Sequence, residues 1–179
     1  NPNDLRDTLT EGLNWGDLVL LSGGSSMGAR DIAVEVIQSL ANARIFFHGI
    51  SVSPGKPTIY AQAAGKPVLG LPGYPVSALV IFDLFATPLI RTLGGEDLSS
   101  TLLPRRTVRA ILNMNVSSQT GREDYVRVTI ERQGEIFYAF PLPSKSGAIF
   151  TLVKADGMVR IDSGREGLER GEEVEVSLF

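Results

Sequence analysis

The stretch Ser22-Gly23-Gly24-Ser25-Ser26-Met27-Gly28-Ala29-Arg30-Asp31 decides how this chain is read. The apolar run Asp17-Leu18-Val19-Leu20-Leu21 stands in front of it. Behind it Ile32, Val36 and Leu40 recur at i, i+4 and i+8, with Ala33 and Ile37 beside them. That order predicts a strand, a glycine-rich turn and a helix, an arrangement that aims backbone N–H groups and a positive dipole end at an anion. Glycine lets the backbone approach a ligand closely, and the serines add hydroxyl donors. The loop is not a Walker A motif: Gly23-x4-Gly28 has the right spacing, but Ala29-Arg30 stands where Lys-Ser/Thr is required. Nor is it a Rossmann fingerprint, because Gly-x-Gly-x-x-Gly is absent. Its chemistry is that of an oxyanion or phosphate cradle.

Outward from the cradle, the first half keeps the same alternation. Asn3-Asp4 reads as an N-cap for a helix carrying Leu5, Leu9 and Leu13 on one face, closed by Gly12 and Gly16. Ala43–Phe47 reads as a second strand, followed by His48-Gly49 and the turn Pro54-Gly55-Lys56-Pro57, whose prolines restrict where the ammonium of Lys56 points. Thr58–Ala61 and Pro67–Leu71 read as further strands with a turn at Gly65-Lys66. The second of these runs into Pro72-Gly73-Tyr74-Pro75-Val76-Ser77, where Pro75 suits a first helical turn. A helix is expected from about Pro75 to Leu93, apolar on most sides and therefore buried, kinked at Pro88 and ended by Gly94-Gly95. This order of elements predicts an open, mostly parallel sheet with flanking helices. The two glycine-bearing turns form facing walls of one crevice at the carboxyl ends of its strands.

The pattern changes after Gly94–Thr101, so domains are expected over 1–98 and 99–179. Val126, Val128 and Ile130 alternate with Arg127, Thr129 and Glu131; Ile136, Tyr138 and Phe140 alternate with Phe137 and Ala139; Val174, Val176 and Leu178 close the chain in the same way. Period-two alternation in short runs predicts a small antiparallel barrel or sandwich. Among 179 residues, 17 Lys+Arg against 20 Asp+Glu leave no basic excess, so nucleic-acid binding has no support. The absence of cysteine removes thiolate catalysis and disulfides and agrees with a cytoplasmic location. The single histidine, His48, sits beside Phe46 and Phe47 and reads as structural. The longest apolar run, Val76–Ile90, is interrupted by Ser77, Asp83, Thr87 and Pro88, so no membrane span is expected.

Together these elements resemble a known family, the MoeA/gephyrin-type molybdopterin molybdenumtransferases. Ser22–Asp31 is similar to its Ser-Gly-Gly-x-Ser-x-Gly-x-x-Asp loop, His48-Gly49 with Pro54–Pro57 to its His-Gly…Pro-Gly-Lys-Pro stretch, and Gly70–Ser77 to its Gly-Leu-Pro-Gly-Asn-Pro-Val-Ser turn. In the second half, Gly121-Arg122…Arg127 and Ser146-Gly147…Leu152…Ala155-Asp156-Gly157 resemble its closing β-barrel domain. Two positions depart from the pattern: Tyr74 stands where Asn is common, and Ser53 where a basic residue is frequent. The chain begins at Asn1-Pro2 without Met, and the family's first two domains and the start of its pterin-binding domain have no counterpart in it. It is therefore expected to be the C-terminal part of a longer protein.

The resemblance implies molybdenum cofactor biosynthesis: molybdate is inserted into adenylated molybdopterin, AMP is released, and Mg²⁺ assists. It implies catalytic roles for Asp31 and Lys56, with Asp31 also the metal ligand. Substrate contacts fall on Ser22, Gly23, Gly24, Ser25, Ser26 and Gly28 on one wall, and on Pro72, Gly73, Tyr74, Pro75 and Ser77 on the other. A homodimer is implied as well, with molybdopterin or its adenylated form as the bound partner. The competing readings are a molybdopterin adenylyltransferase, against which the closing β-domain argues, and a non-catalytic pterin-binding sensor or scaffold.

Overall fold

The computed structural model describes residues 1–23, 32–97, 106–143 and 149–179. The chain divides into two units, Asn1–Ile50 with Gly55–Leu102, and Ser51–Pro54 with Leu103–Phe179. In the first unit, helix α1 (Pro2–Trp15) leads to strand β1 (Val19–Ser22), helix α2 (Ile32–Gln38) and strand β2 (Arg44–His48). Strands β4 (Ile59–Ala63) and β5 (Lys66–Leu71) follow, after the two-residue strand β3 (Val52–Ser53) of the other unit. The N-cap of α1 is Asn1, whose side chain accepts from the Asn3 amide at 3.0 Å, with Pro2 at the first helical position. The helix thus starts two residues before the Asn3-Asp4 expected to cap it, because proline there lacks only an amide that would go unpaired anyway. Leu9 and Leu13 pack with Ala33, Val36 and Ile37 of α2 against Ile59, Ala61, Ala63 and Val68. Each fully buried Leu or Ile there stabilises the fold by about 1.5–3 kcal/mol.

The sheet order is β1-β5-β4-β2, and its pairings are mixed. β1 and β5 are parallel, whereas β5–β4 and β4–β2 are antiparallel. β1, β5 and β2 therefore share one direction with β4 reversed between them, and with two of three ladders antiparallel the sheet is mixed rather than mostly parallel. The reason is local. Ala64 and Gly65 both have positive φ, +49° and +79°, and close a two-residue hairpin that forces β4 and β5 to run antiparallel. At Gly70 a Cβ would meet that of Ile59 at 3.0 Å, so glycine permits the close packing of these two strands.

After β5, a continuous helix runs from Pro75 to Leu93 as α3 (Pro75–Ile81), a π segment (Phe82–Ala86) and α4 (Thr87–Leu93). The π segment lies immediately ahead of Pro88, whose ring and missing N–H disturb an α-helical ladder. Phe47 meets Phe85 of this segment at 5.8 Å between ring centroids. The expected burial is only partial: Val76, Val80, Ile81 and Ala86 are buried, but Leu79, Ile90 and Leu93 are exposed. By length and composition alone the helix could cross a membrane, with a mean hydropathy of 1.7 in its most apolar window, since Ser77, Asp83, Thr87 and Pro88 do not interrupt it. Core helices of soluble proteins meet the same test.

The second unit contains β6 (Thr107–Leu112), β7 (Val116–Ser117), β8 (Glu123–Gln133), β9 (Ile136–Pro141), α5 (Phe150–Lys154), β10 (Gly157–Ile161), β11 (Gly167–Leu168) and β12 (Glu173–Leu178). The order β10-β12-β6-β9-β8 closes on itself through a β10–β8 ladder, giving a five-stranded barrel rather than a sandwich. It is not wholly antiparallel, because β6 and β9 are parallel. An odd number of strands cannot alternate direction around a closed ring, so at least one ladder has to be parallel. Ala110, Leu112, Val128, Ala139, Val159, Ile161, Val174 and Val176 fill the interior. At Gly157 a Cβ would lie 2.3 Å from the Ser177 carbonyl oxygen, so only glycine closes the β10–β12 seam.

Candidate functional site

The parallel register of β1 and β5 pairs Ser22 with Leu71 and so sets both glycine-bearing turns at one edge of the sheet. Gly23 donates its amide to the Leu71 carbonyl at 3.3 Å, and a Cβ on Gly73 would lie 3.7 Å from the Gly23 Cα. Gly23 has φ +81°, a conformation that side chains oppose, so the chain leaves β1 through a turn suited to glycine. Ser22 is exposed beside it. Gly24, Ser25, Ser26, Gly28 and Asp31, the remainder of the expected cradle and its acid, lie outside the described residues.

On the facing wall Pro72 is buried, while Gly73, Tyr74 and Pro75 are exposed. Tyr74 is 64% exposed and occupies the N-cap of α3, where its side chain makes no capping hydrogen bond; its carbonyl accepts from the Ala78 amide at 2.9 Å. Ser77, in the first turn of α3, is only 5% exposed.

β2 shares the direction of β1 and β5, so His48 ends its strand at the same edge, half-buried. Beyond it the Gly49 amide donates to Thr58 O at 2.8 Å and the Ile50 amide to Lys56 O at 3.0 Å. Lys56 O also accepts from the Thr58 amide at 3.0 Å, and the buried Thr58 hydroxyl donates to Gly55 O at 2.6 Å. These bonds pin the backbone of Lys56 and leave its side chain exposed. An ammonium presented from a fixed turn is a point charge for an oxyanion.

In the second unit, two polar groups escape a reading based on alternation. Arg127, which alternates with the inward valines of β8, is 3% exposed; its Nε donates to Thr151 Oγ1 at 3.0 Å and its Nη2 to Pro143 O at 3.1 Å. The short helix α5 carries Thr151 and explains that burial, which pushes the guanidinium pKa down by desolvation. Asp124 is 7% exposed and accepts from Ser118 and from Arg122, whose Nε and Nη2 lie 3.3 and 3.2 Å from Oδ2. The signal available in the sequence was a single acid on the face that also carries Val126 and Val128. Among the described residues no group of three or more His, Cys, Asp or Glu gathers where a metal could be held.

Residues 1–92 match the family described as "Probable molybdopterin binding domain", and residues 109–179 match "MoeA C-terminal region (domain IV)". A molybdopterin biosynthesis protein of Methanocaldococcus jannaschii is 34% identical over 175 residues, covering 98% of this chain and 39% of its own length. The molybdopterin molybdenumtransferase of Haemophilus influenzae is 32% identical over 91% of this chain and 40% of its own. The crystal structure of a molybdopterin biosynthesis MoeA protein from Pyrococcus horikoshii aligns with a TM-score of 0.77 at 38% identity, covering 97% of this chain and 40% of that one. The chain thus spans about two fifths of the length of these relatives. With a pterin-binding match followed in order by the MoeA C-terminal region across nearly all of its length, the chain belongs to the MoeA-type family of molybdenum cofactor biosynthesis proteins.

Proposed function

We propose that this chain forms the pterin-phosphate site of a cytoplasmic molybdopterin molybdenumtransferase, which inserts molybdate into adenylated molybdopterin with release of AMP. The observation that carries the reading is the apposition of Gly23 and Gly73 at the carboxyl edge of β1 and β5, joined by the Gly23–Leu71 hydrogen bond. Open α/β sheets bind ligands at that edge, and backbone amides in a glycine turn suit a phosphate. In this reading the 22–28 loop holds the terminal phosphate and Tyr74 with its neighbours forms the facing wall. Lys56 offsets oxyanion charge, and Asp31 is the acid at the scissile phosphoanhydride. Molybdate is substrate. Magnesium is expected from the family resemblance. Among the described residues no group of three or more His, Cys, Asp or Glu gathers to hold it. The protein works as a homodimer in this proposal.

The deciding experiment is a titration of the 179-residue chain with molybdopterin beside its Asp31→Asn variant. Saturable binding by the folded wild type is expected, and a folded chain that binds no molybdopterin overturns the assignment of the site to these residues.

A further inference from the structure

We propose that Thr58 is a positioning residue whose buried hydroxyl aims the side chain of Lys56; its functional weight rests on the role given to Lys56 above. Lys56 is exposed, while Gly55 before it and Thr58 two residues after it are buried. A side chain leaves its Cα in a direction set by the planar peptide groups on either side. At Lys56 both of those groups are held by their carbonyls. Lys56 O, in the peptide that follows, accepts from the Ile50 and Thr58 amides, each at 3.0 Å. The second of these bonds closes a three-residue turn around Pro57, whose fixed φ suits it. Gly55 O, in the peptide that precedes, accepts from Thr58 Oγ1 at 2.6 Å.

The two holds ask different things of the sequence. Backbone amides hold the Lys56 carbonyl, and any residue except proline supplies one. The Gly55 carbonyl is held by a side chain, through a bond that reaches back three residues and needs a hydroxyl on Cβ. Thr58 is itself anchored to the sheet: its carbonyl accepts from the Gly49 amide at 2.8 Å, and Ile59 beside it pairs with His48 and Gly70. Gly55, at φ +140°, has no side chain to oppose rotation of the peptide after it. Without the hydroxyl the Gly55–Lys56 peptide is therefore free to turn over, and the Lys56 ammonium leaves its direction even though the Lys56 carbonyl keeps its donors. Valine would fill the same space at position 58, so burial alone does not call for threonine there.

Amide hydrogen exchange on the 179-residue chain tests this without any ligand. Thr58→Val keeps the shape and removes the hydroxyl, Thr58→Ser keeps the hydroxyl, and Thr58→Ala replaces Thr58→Val if that variant does not fold. The Ile50 amide, which donates to Lys56 O, is expected to exchange about tenfold faster in Thr58→Val and within about twofold of wild type in Thr58→Ser, with the β5 amides unchanged. An unchanged Ile50 amide in a folded Thr58→Val, or one accelerated no more than the β5 amides, overturns the proposal. A molybdopterin titration reads the effect on the ligand: Thr58→Val is expected to bind about threefold more weakly and to add no loss in a Lys56→Ala background. A further loss in that background overturns action through Lys56. Lys56→Ala binding as tightly as wild type would sink the role of Lys56 itself, while the exchange data still decide the turn.

Discussion

The Gly23 amide and the Leu71 carbonyl, 3.3 Å apart, join the ends of two neighbouring parallel strands just where each turns toward its helix. One hydrogen bond thereby registers both walls of the candidate site. Gly23→Ala meets no atom within 4 Å, so its cost is confined to the backbone at φ +81°. Stability measured by urea unfolding is expected to fall by about 1–2 kcal/mol, and molybdopterin affinity to fall with it.

Tyr74 is an N-cap that does not cap. Tyr74→Asn supplies the missing acceptor for the first-turn amides and is expected to raise stability by about 1 kcal/mol, seen as a higher melting temperature. A stabilised variant with altered molybdopterin affinity would show that tyrosine is kept at that position for the ligand rather than for the helix.

Arg127 ties α5 to the barrel through Thr151 and with a second donor holds the Pro143 carbonyl that follows β9. Arg127→Ala removes both hydrogen bonds and opens a cavity where the guanidinium is buried, and is expected to cost about 3 kcal/mol in denaturant unfolding. Arg127→Lys does not restore it, because a single ammonium cannot reproduce the fork.

Asp124 gives stability a pH dependence. Burial pushes its carboxyl up, but hydrogen bonds from Ser118 and Ser53, with the charge and hydrogen bonds of Arg122, outweigh that and hold it below the ordinary aspartate range. A carboxyl lowered on folding adds stability above its unfolded value, and that stability is lost as pH falls through the folded value. Wild type is therefore expected to lose stability below about pH 4 more steeply than Asp124→Asn. A constant difference between the two from about pH 3 to 7 would contradict this.

Gly157→Ala places a methyl 2.3 Å from the Ser177 carbonyl oxygen, and β10 has to move away from β12 to admit it. A loss of about 3 kcal/mol by urea unfolding is expected.

Much of the fold around the candidate site was legible before the structure, because its signals are local. Glycines around an apolar run, a proline at a first helical turn and a change of period from helical to two all act over a few residues. The reversal of β4 was half-legible: Gly65-Lys66 marks a turn, but only the positive φ of Ala64 as well makes it a hairpin. What stayed hidden is non-local. Arg127 alternates as a solvent-facing residue should, and only the distant α5 buries it. Ser53 and Asp124 are 71 positions apart, and nothing near either one announces the other. Partial exposure of the 75–93 helix escaped for a different reason, since composition records how apolar a helix is and not how much of it is covered.

Strand β3 has a consequence for how this chain can be inherited. A gene divided at the composition change near Gly94-Gly95 would yield a C-terminal product without the strap Ser51–Pro54, so β8 would start with its edge uncovered. An N-terminal product would carry the strap with nothing to receive it. Each half thus holds a strap or a strand edge that only the other completes, and a recombination or expression strategy based on two interchangeable cassettes would produce two defective ones.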